Sequence, residues 1–383
     1  MIDTVVIAVP TNRIVTDPIS DRVGSRWHLQ RRTPGYDMYV RNPSAALTKI
    51  NYYPYVTAFN RKGSHTSWKE AQSTIHIRFS APKLLFQNNV DELADDQFET
   101  ILKALVERLY EMGILVRPYT LADAEVRTVH YSKNIELHEG YTARYIINEL
   151  GKIDMSKCFD FGKTRYENDG SGVVAHTKAH EFVVYDKIAD LAKGEKRAID
   201  KDQTSKQLSL FADFEKAERP REIIRFEIRL NEKRKIDALF QELGFVQGPT
   251  FKDAFSTTKS KKVIWHYWDT MVAGHAAALF GHTFTMKELL HQIMVAEKNI
   301  RPKEAIYRAA SIYMAREGNG LRELRSIIKR KGRDDFWYDL TADVRKTTAK
   351  LDKLRPRDWY DQIIKGFEAY EPVRVVHLLG KQK

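Results

Sequence analysis

The chain has 383 residues, more than one ordinary domain needs, and its 43% hydrophobic content is enough for real cores and excludes a disordered protein. Lys and Arg number 63 against 51 acids, and the net charge of +12 points to a polyanionic partner, with a plainly soluble basic protein as the competing reading. A lone cysteine, Cys158, excludes a disulfide framework and a thiolate zinc site and fits a reducing cytoplasm.

The alternation in residues 4–9 predicts an opening strand, and residues 52–60 and 73–80 predict two more, joined by a turn near Gly63. In the last of these, Ile75, Ile77 and Phe79 face one way and His76, Arg78 and Ser80 the other, and Pro82 stops the ladder. Residues 96–112 carry Phe98, Ile101, Leu102, Leu105 and Leu109 on one helical stripe that Gly113 ends. A strand is expected over 126–137, with His130, Ser132, Asn134 and Glu136 on one face, and a short helix over 141–150.

The turn signal at 168–172 leads to a strand and helix over 179–189. There Glu181, Val183, Tyr185 and Lys187 share one face, and His180, Phe182, Val184 and Asp186 the other. After a polar stretch, 193–221, residues 223–230 alternate again: Ile224, Phe226, Ile228 and Leu230 inward, Arg225, Glu227 and Arg229 outward. Strands with one apolar and one polar face predict an α+β fold, an antiparallel sheet with helices on one face and a working surface on the other.

From about Thr285 helical periods take over, at 286–297, 302–316, 321–330 and 334–350. The expected domains are a sheet domain over 1–250, a connecting helical segment over 251–283 and a helical domain over 284–383. That last domain reads equally as a helical bundle or as a helix-turn-helix DNA reader using Arg322, Arg325, Lys329 and Arg330. No apolar run approaches the roughly 20 residues that span a bilayer, no signal peptide is expected, and no phosphate-binding GxxxxGK[ST] loop is present.

Several pieces come in the order of a known family: Met1-Ile-Asp-Thr, Ser80-Ala-Pro-Lys-Leu-Leu85 with Asn88-Asn89, Val129-His-Tyr-Ser-Lys-Asn-Ile135, Val184-Tyr-Asp-Lys187, Arg225-Phe-Glu-Ile-Arg229 and Arg357-Asp-Trp-Tyr360. In these the chain resembles the gene II/X replication proteins of filamentous phages and related rolling-circle plasmid initiators. The resemblance implies a Rep-nuclease-like fold and a nicking-closing endonuclease in a bacterial cytoplasm, acting on origin DNA beside a host helicase. Tyr185 matches the nucleophile that cuts one strand, keeps the 5′ phosphate and leaves a 3′ hydroxyl primer. Glu227 matches the acid of the Arg-Phe-Glu strand. At His130 related proteins often carry aspartate, so His130 is a ligand by substitution or the ligand lies elsewhere, with Glu136, Glu139 and His76 in reserve.

A free tyrosine is about one part in a thousand phenolate at pH 7, and full ionisation is worth roughly 4 kcal/mol. The expectation is that Lys187 supplies part of this and a divalent ion on the scissile phosphate more. Glu227 and His130 are the first ligand choices for Mg²⁺ or Mn²⁺. Asp186 is either a third ligand or the cap of the helix it precedes. Arg225 and Arg229, with Arg78 on the same polar surface, either hold phosphates or pair with nearby acids. Two other functions stay open, a non-enzymatic origin-binding initiator and a mobilisation relaxase, though the latter usually shows a His-x-His cluster that is absent here. In the polar stretch, Gln207, Leu208, Leu210 and Phe211 resemble the pentapeptide that docks on the bacterial sliding clamp; one turn of an ordinary helix is the alternative.

Overall fold

The structure, a computed structural model, describes residues 1–20, 26–48, 51–61, 73–138, 141–153, 165–167, 172–192, 222–273, 285–316, 320–329, 334–348, 350–351 and 358–378. Its centre is one antiparallel sheet. The strands are β1 (Ile2–Pro10), β3 (His28–Arg32), β4 (Tyr36–Arg41), β5 (Tyr55–Arg61), β6 (Thr74–Ser80), β8 (Glu125–Leu137), β9 (Arg165–Glu167), β10 (Gly172–His176), β11 (His180–Asp186) and β12 (Glu222–Leu230). They lie in the order β3-β4-β5-β6-β1-β8-β12-β11-β10-β9. A separate ribbon pairs β2 (Ile14–Thr16) with β7 (Ile114–Val116).

Alternation decides which side of the sheet is dry. Val5, Ile7, Ile75, Ile77, Val129, Tyr131, Val184, Phe226 and Ile228 are all buried in one core. Helices cover that face. Phe98–Glu111 buries the expected stripe, and Ala143–Leu150 and Lys233–Glu242 pack beside it. The α+β architecture expected from the sequence is therefore present, with a mostly helical C-terminal region.

Three local features differ from the expectation. Pro82 does not merely stop β6: it sits in the first turn of a helix, Ala81–Phe86, where its missing N–H costs nothing. The β3–β4 hairpin escapes pattern reading because His28–Arg32 is an edge strand of mostly exposed polar residues. The strand β10 lies between the turn and β11, and it carries Val173, Val174 and Ala175 in succession rather than alternating.

The C-terminal third is divided differently from the expected boundaries. Leu289, Ile293, Ala305, Ala309, Ile312, Val344 and Leu351 form a core of their own. It joins the helices Met286–Ala296, Pro302–Met314 and Asp334–Thr348. The helix Asp358–Ala369, however, returns to the sheet, and Phe367 meets Phe226 at 5.1 Å and Trp268 at 5.3 Å between ring centres. Gly366 allows this approach, since a Cβ there would stand 3.0 Å from Ile135 on β8. The helix Thr257–Met271, which carries Trp268, packs on β8 and β12, so residues 251–273 belong to the sheet's core instead of bridging two domains.

The polar face is not open along its whole length. Ile223, at the start of β12, packs with Val90, Leu191, Val375 and Leu378 in a small second core. The helix Lys187–Ala192, residues 87–92 and the segment around Val375–Leu378 thus cover one end of that face. Glu92 ties them together. Its carboxylate accepts from Lys133 Nζ at 2.7 Å, from Asn134 N at 2.6 Å and from Val373 N at 3.0 Å.

Candidate active site at the edge of the covered face

Register brings the site together. On β11 and β12, Tyr185 stands opposite Arg225, Val183 opposite Glu227 and Glu181 opposite Arg229. On β12 and β8, Arg225 faces Asn134, Glu227 faces Ser132 and Arg229 faces His130. All share the polar face. One more residue joins through an irregularity in β1. Its pairing with β8 runs from Ile2 opposite Tyr131 to Val5 opposite Val129, so Asp3 and Thr4 together oppose His130. This bulge turns Asp3, 9% exposed, toward the polar side.

Glu227 is the hub. The Tyr185 hydroxyl donates to its Oε2 at 3.4 Å, Arg229 Nε donates to Oε1 at 2.9 Å, and His130 Nδ1 lies 3.3 Å from Oε1. Burial alone would raise this carboxyl's pKa. The Arg229 charge, the His130 hydrogen bond and the Arg225 charge outweigh it and hold the group well below the usual carboxylate range. Tyr185 responds the other way. Burial is the larger effect and pushes its phenol well above 10; Arg225 pulls it back, and the Glu227, Asp190 and Asp3 carboxylates add to the rise.

Lys187 reaches the tyrosine differently from the expected strand alternation. It is the first residue of the helix, fully buried, with Nζ 5.5 Å from the centre of the Tyr185 ring and 3.7 Å from Asp190 Oδ2. Nζ makes no hydrogen bond among the described residues, and burial lowers its pKa to about 7. Asp186 behaves as the cap. Its Oδ1 accepts from the backbone N–H of Ile188 and of Ala189, both at 2.9 Å, and it does not join the ligand cluster.

Arg225 is spent inside the protein. It is 1% exposed and reaches Asp3 at 2.9 Å, Ser132 Oγ at 2.8 Å and the Asn89 carbonyl at 2.7 Å. Burial works against its charge, but the carboxylates of Asp3, Glu227 and Glu92 outweigh it, so it stays charged. This is the pairing alternative, not the phosphate-holding one. Arg229 is partly exposed and divides itself between Glu227 and Glu181. Arg78 is exposed on β6, two strands from β8.

The remaining candidates lie away from this cluster. Arg325 is buried, with its guanidinium 5.8 Å from the centre of the Trp337 ring, a packing role that removes it from a groove-reading surface. Arg322 is half-buried beside it on the helix Gly320–Lys329. Lys329 ends that helix, while Arg330 and the pentapeptide residues Gln207, Leu208, Leu210 and Phe211 lie outside the described residues, as does Glu139. His76 is on β6, 4.6 Å from the Phe59 ring; burial lowers its pKa to about 4. Glu136 is partly exposed at the far end of β8.

One oxygen each of Asp3 and Glu227 and a nitrogen of His130 lie within 4.8 Å of one another. His130 Nε2 is buried and has no hydrogen-bond partner among the described residues. Ligands about 2.1 Å from one octahedral ion stand about 3.0 Å apart when adjacent and about 4.2 Å when opposite, so three groups within 4.8 Å of one another must draw in to share an ion. Two carboxylates and one imidazole form a donor set that suits Mn²⁺ or Mg²⁺. Asp3 is the ligand candidate that pattern reading missed. It was visible only in the opening Met1-Ile-Asp-Thr piece of the resemblance, because nothing in a nine-residue strand announces a bulge.

Compared with family models, with curated proteins and with solved structures, the chain matches none.

Proposed function

We propose that this chain is a DNA nicking-closing enzyme that starts rolling-circle replication at a phage or plasmid origin in a bacterial cytoplasm. The observation that carries the reading is convergence. Residues from five separated stretches (Asp3, Asn89, His130 with Ser132, Tyr185 with Lys187, and Arg225 with Glu227) meet in one network of charges and hydrogen bonds that reaches the Tyr185 hydroxyl through Glu227. Sequence distance does not explain that meeting, and a merely structural ion network has no need of a phenol at its centre.

The Tyr185 oxygen attacks the phosphorus, the bond from phosphorus to the 3′ oxygen breaks, and that oxygen takes up a proton and leaves as a hydroxyl. The 5′ phosphate stays on Tyr185, so the strand can be rejoined without ATP. Glu227 accepts the phenol's hydrogen bond and orients it. Held as a carboxylate by two arginines, it is too weak a base to take the proton. Lys187, whose charge burial disfavours and whose Nζ lies 5.5 Å from the centre of the same ring, would take the proton once it closes on the hydroxyl. Asp3, His130 and Glu227 would hold a divalent ion, which when bound offsets the charge that develops on the phosphate.

The test is a denaturing gel of protein incubated with origin-bearing single-stranded or supercoiled DNA and Mn²⁺ or Mg²⁺. A covalent adduct should form, need the metal and vanish in Tyr185→Phe. An adduct that survives moves the nucleophile to another tyrosine. Tight origin binding with no adduct from the native protein favours a non-enzymatic initiator.

A further inference from the structure

The polar face continues past the site onto β6, β5, β4 and β3, and its character changes there. Register puts Arg78 and His76 of β6 beside Tyr55, Thr57 and Phe59 of β5, and puts Phe59 opposite Met38 of β4. Tyr36 shares that face, 5.6 Å from Phe59 between ring centres. On β3, His28 lies opposite Val40 and Arg31 opposite Met38, and the Tyr55 hydroxyl donates to Gln30 at 3.3 Å. The inward residues of these strands, Val56, Ala58, Ile75, Ile77 and Tyr39, fill the core on the other side.

Three properties separate this surface from an ordinary solvated face. Its aromatic rings Tyr36, Tyr55 and Phe59 are only partly buried, although the sheet's other side offers a dry core. Its cations Arg31 and Arg78 are exposed and make no ion pair among the described residues. Its strands β3 to β6 present no carboxylate on this side among the described residues. The acid that acts on His76 is Glu125 of β8, and it is already held by Arg127 at 2.7 Å and Lys233 at 3.3 Å. Interleaved rings and unpaired cations on a sheet suit bases that stack and phosphates that need neutralising. A duplex hides its base faces, and an acidic peptide would use the cations but leave the rings without flat partners to stack on.

We infer that the β3–β6 half of this face is a binding platform for single-stranded DNA, on which bases stack on Tyr36, Tyr55 and Phe59 while Arg31 and Arg78 take the phosphates. This rests on the proposed action on DNA, and it extends the site along the strand. Neighbouring strands are about 4.8 Å apart, so Arg78 on β6 is about 10 Å from the β8 strand that carries His130. The platform is thus continuous with the site and holds the segment flanking the cut.

The experiment measures fluorescence anisotropy of a short mixed-sequence single strand, with the full chain carrying Tyr185→Phe and with EDTA present. Nicking and metal then play no part, so failure here leaves the adduct test untouched, and failure there leaves this one readable. Tyr36→Leu should weaken binding about tenfold. The double change Arg31→Ser and Arg78→Ser touches only exposed side chains, so it keeps the fold, and it should flatten the salt dependence by about one to two counterions. An abasic strand of equal length and a matching duplex should both bind more weakly than the single strand. Unchanged affinity in either variant, at an unchanged melting temperature, overturns the platform, and so does equal binding of abasic or duplex DNA.

Discussion

At the scale of single residues, the candidate site is a balance of buried charges, and the balance can be upset one group at a time. Glu227, itself hidden from water, has buried Arg225 on one side and partly exposed Arg229 on the other. Glu227→Gln leaves two guanidiniums facing each other without their shared carboxylate. Breaking a buried pair in this way costs about 3–5 kcal/mol, so urea unfolding should show a loss of that order. Asp3→Asn should cost less in stability, because Arg225 keeps Glu227, Ser132 and the Asn89 carbonyl. It should still abolish metal-dependent adduct formation. Lys187 makes a prediction in pH. Burial lowers its pKa from 10.5 to about 7 in the folded protein, so between those values the unfolded chain binds a proton that the folded one does not. Stability from this group therefore rises with pH across that window, by about 1.4 kcal/mol per pH unit, and the slope should disappear in Lys187→Met. If Lys187 is also the base, single-turnover nicking should climb through pH 7 and level off above it.

At the scale of elements, the structure shows why the site's far wall holds. Residues 87–92 are pinned between β8 and the segment that follows Tyr370. The pin is Glu92 paired with Lys133, both nearly free of solvent. Lys133 looks like a misplaced charge on the core side of β8, between Tyr131 and Ile135. Its Nζ is satisfied by Glu92, the Asn134 carbonyl and the Glu371 carbonyl. Glu92→Gln should thus destabilise the fold by about 3–5 kcal/mol and expose backbone amides around Val373 and Asn134 to hydrogen exchange. The bulge in β1 works at the same scale: an extra residue opposite His130 is what turns Asp3 toward the polar face.

At the scale of the whole molecule, the chain does not divide where its composition changes. Helical periods begin near Thr285, yet the helix Asp358–Ala369 packs Trp359, Ile363 and Phe367 into the sheet's core. A chain ending at residue 283 should therefore lack part of its core and fail to fold cooperatively, as circular dichroism melting would show. Residues 286–351 serve both cores: Leu289, Ile293, Ala305 and Ala309 sit in the separate one, whereas Ala315, Leu321 and Trp337 belong to the sheet's, so excising 286–351 while sparing 358–378 should also lower the melting temperature. The net charge of +12 also belongs to this scale. On the proposed function, surface cations with no ion pair among the described residues, such as Arg78 and Arg31, would draw a polyanion to the face where Tyr185 stands.

Sequence by itself determined the sheet. Period-two runs at 75–79, 182–186 and 224–230, and the stripe from Phe98 to Leu109, settle which apolar side chains must leave water, and those are buried in the structure, although Arg225 and Glu227 of the opposite parity are buried too. It likewise placed Tyr185, Glu227 and His130 on one face, because parity along a strand survives any register that keeps the core dry. Tertiary structure alone decided which strands are neighbours, where β1 bulges to deliver Asp3, that Arg225 turns inward, and that Lys187 lies over the Tyr185 ring from a helix. Those choices depend on pairing between segments up to hundreds of residues apart. No local pattern encodes them, because the energy that fixes them exists only once both partners have left water.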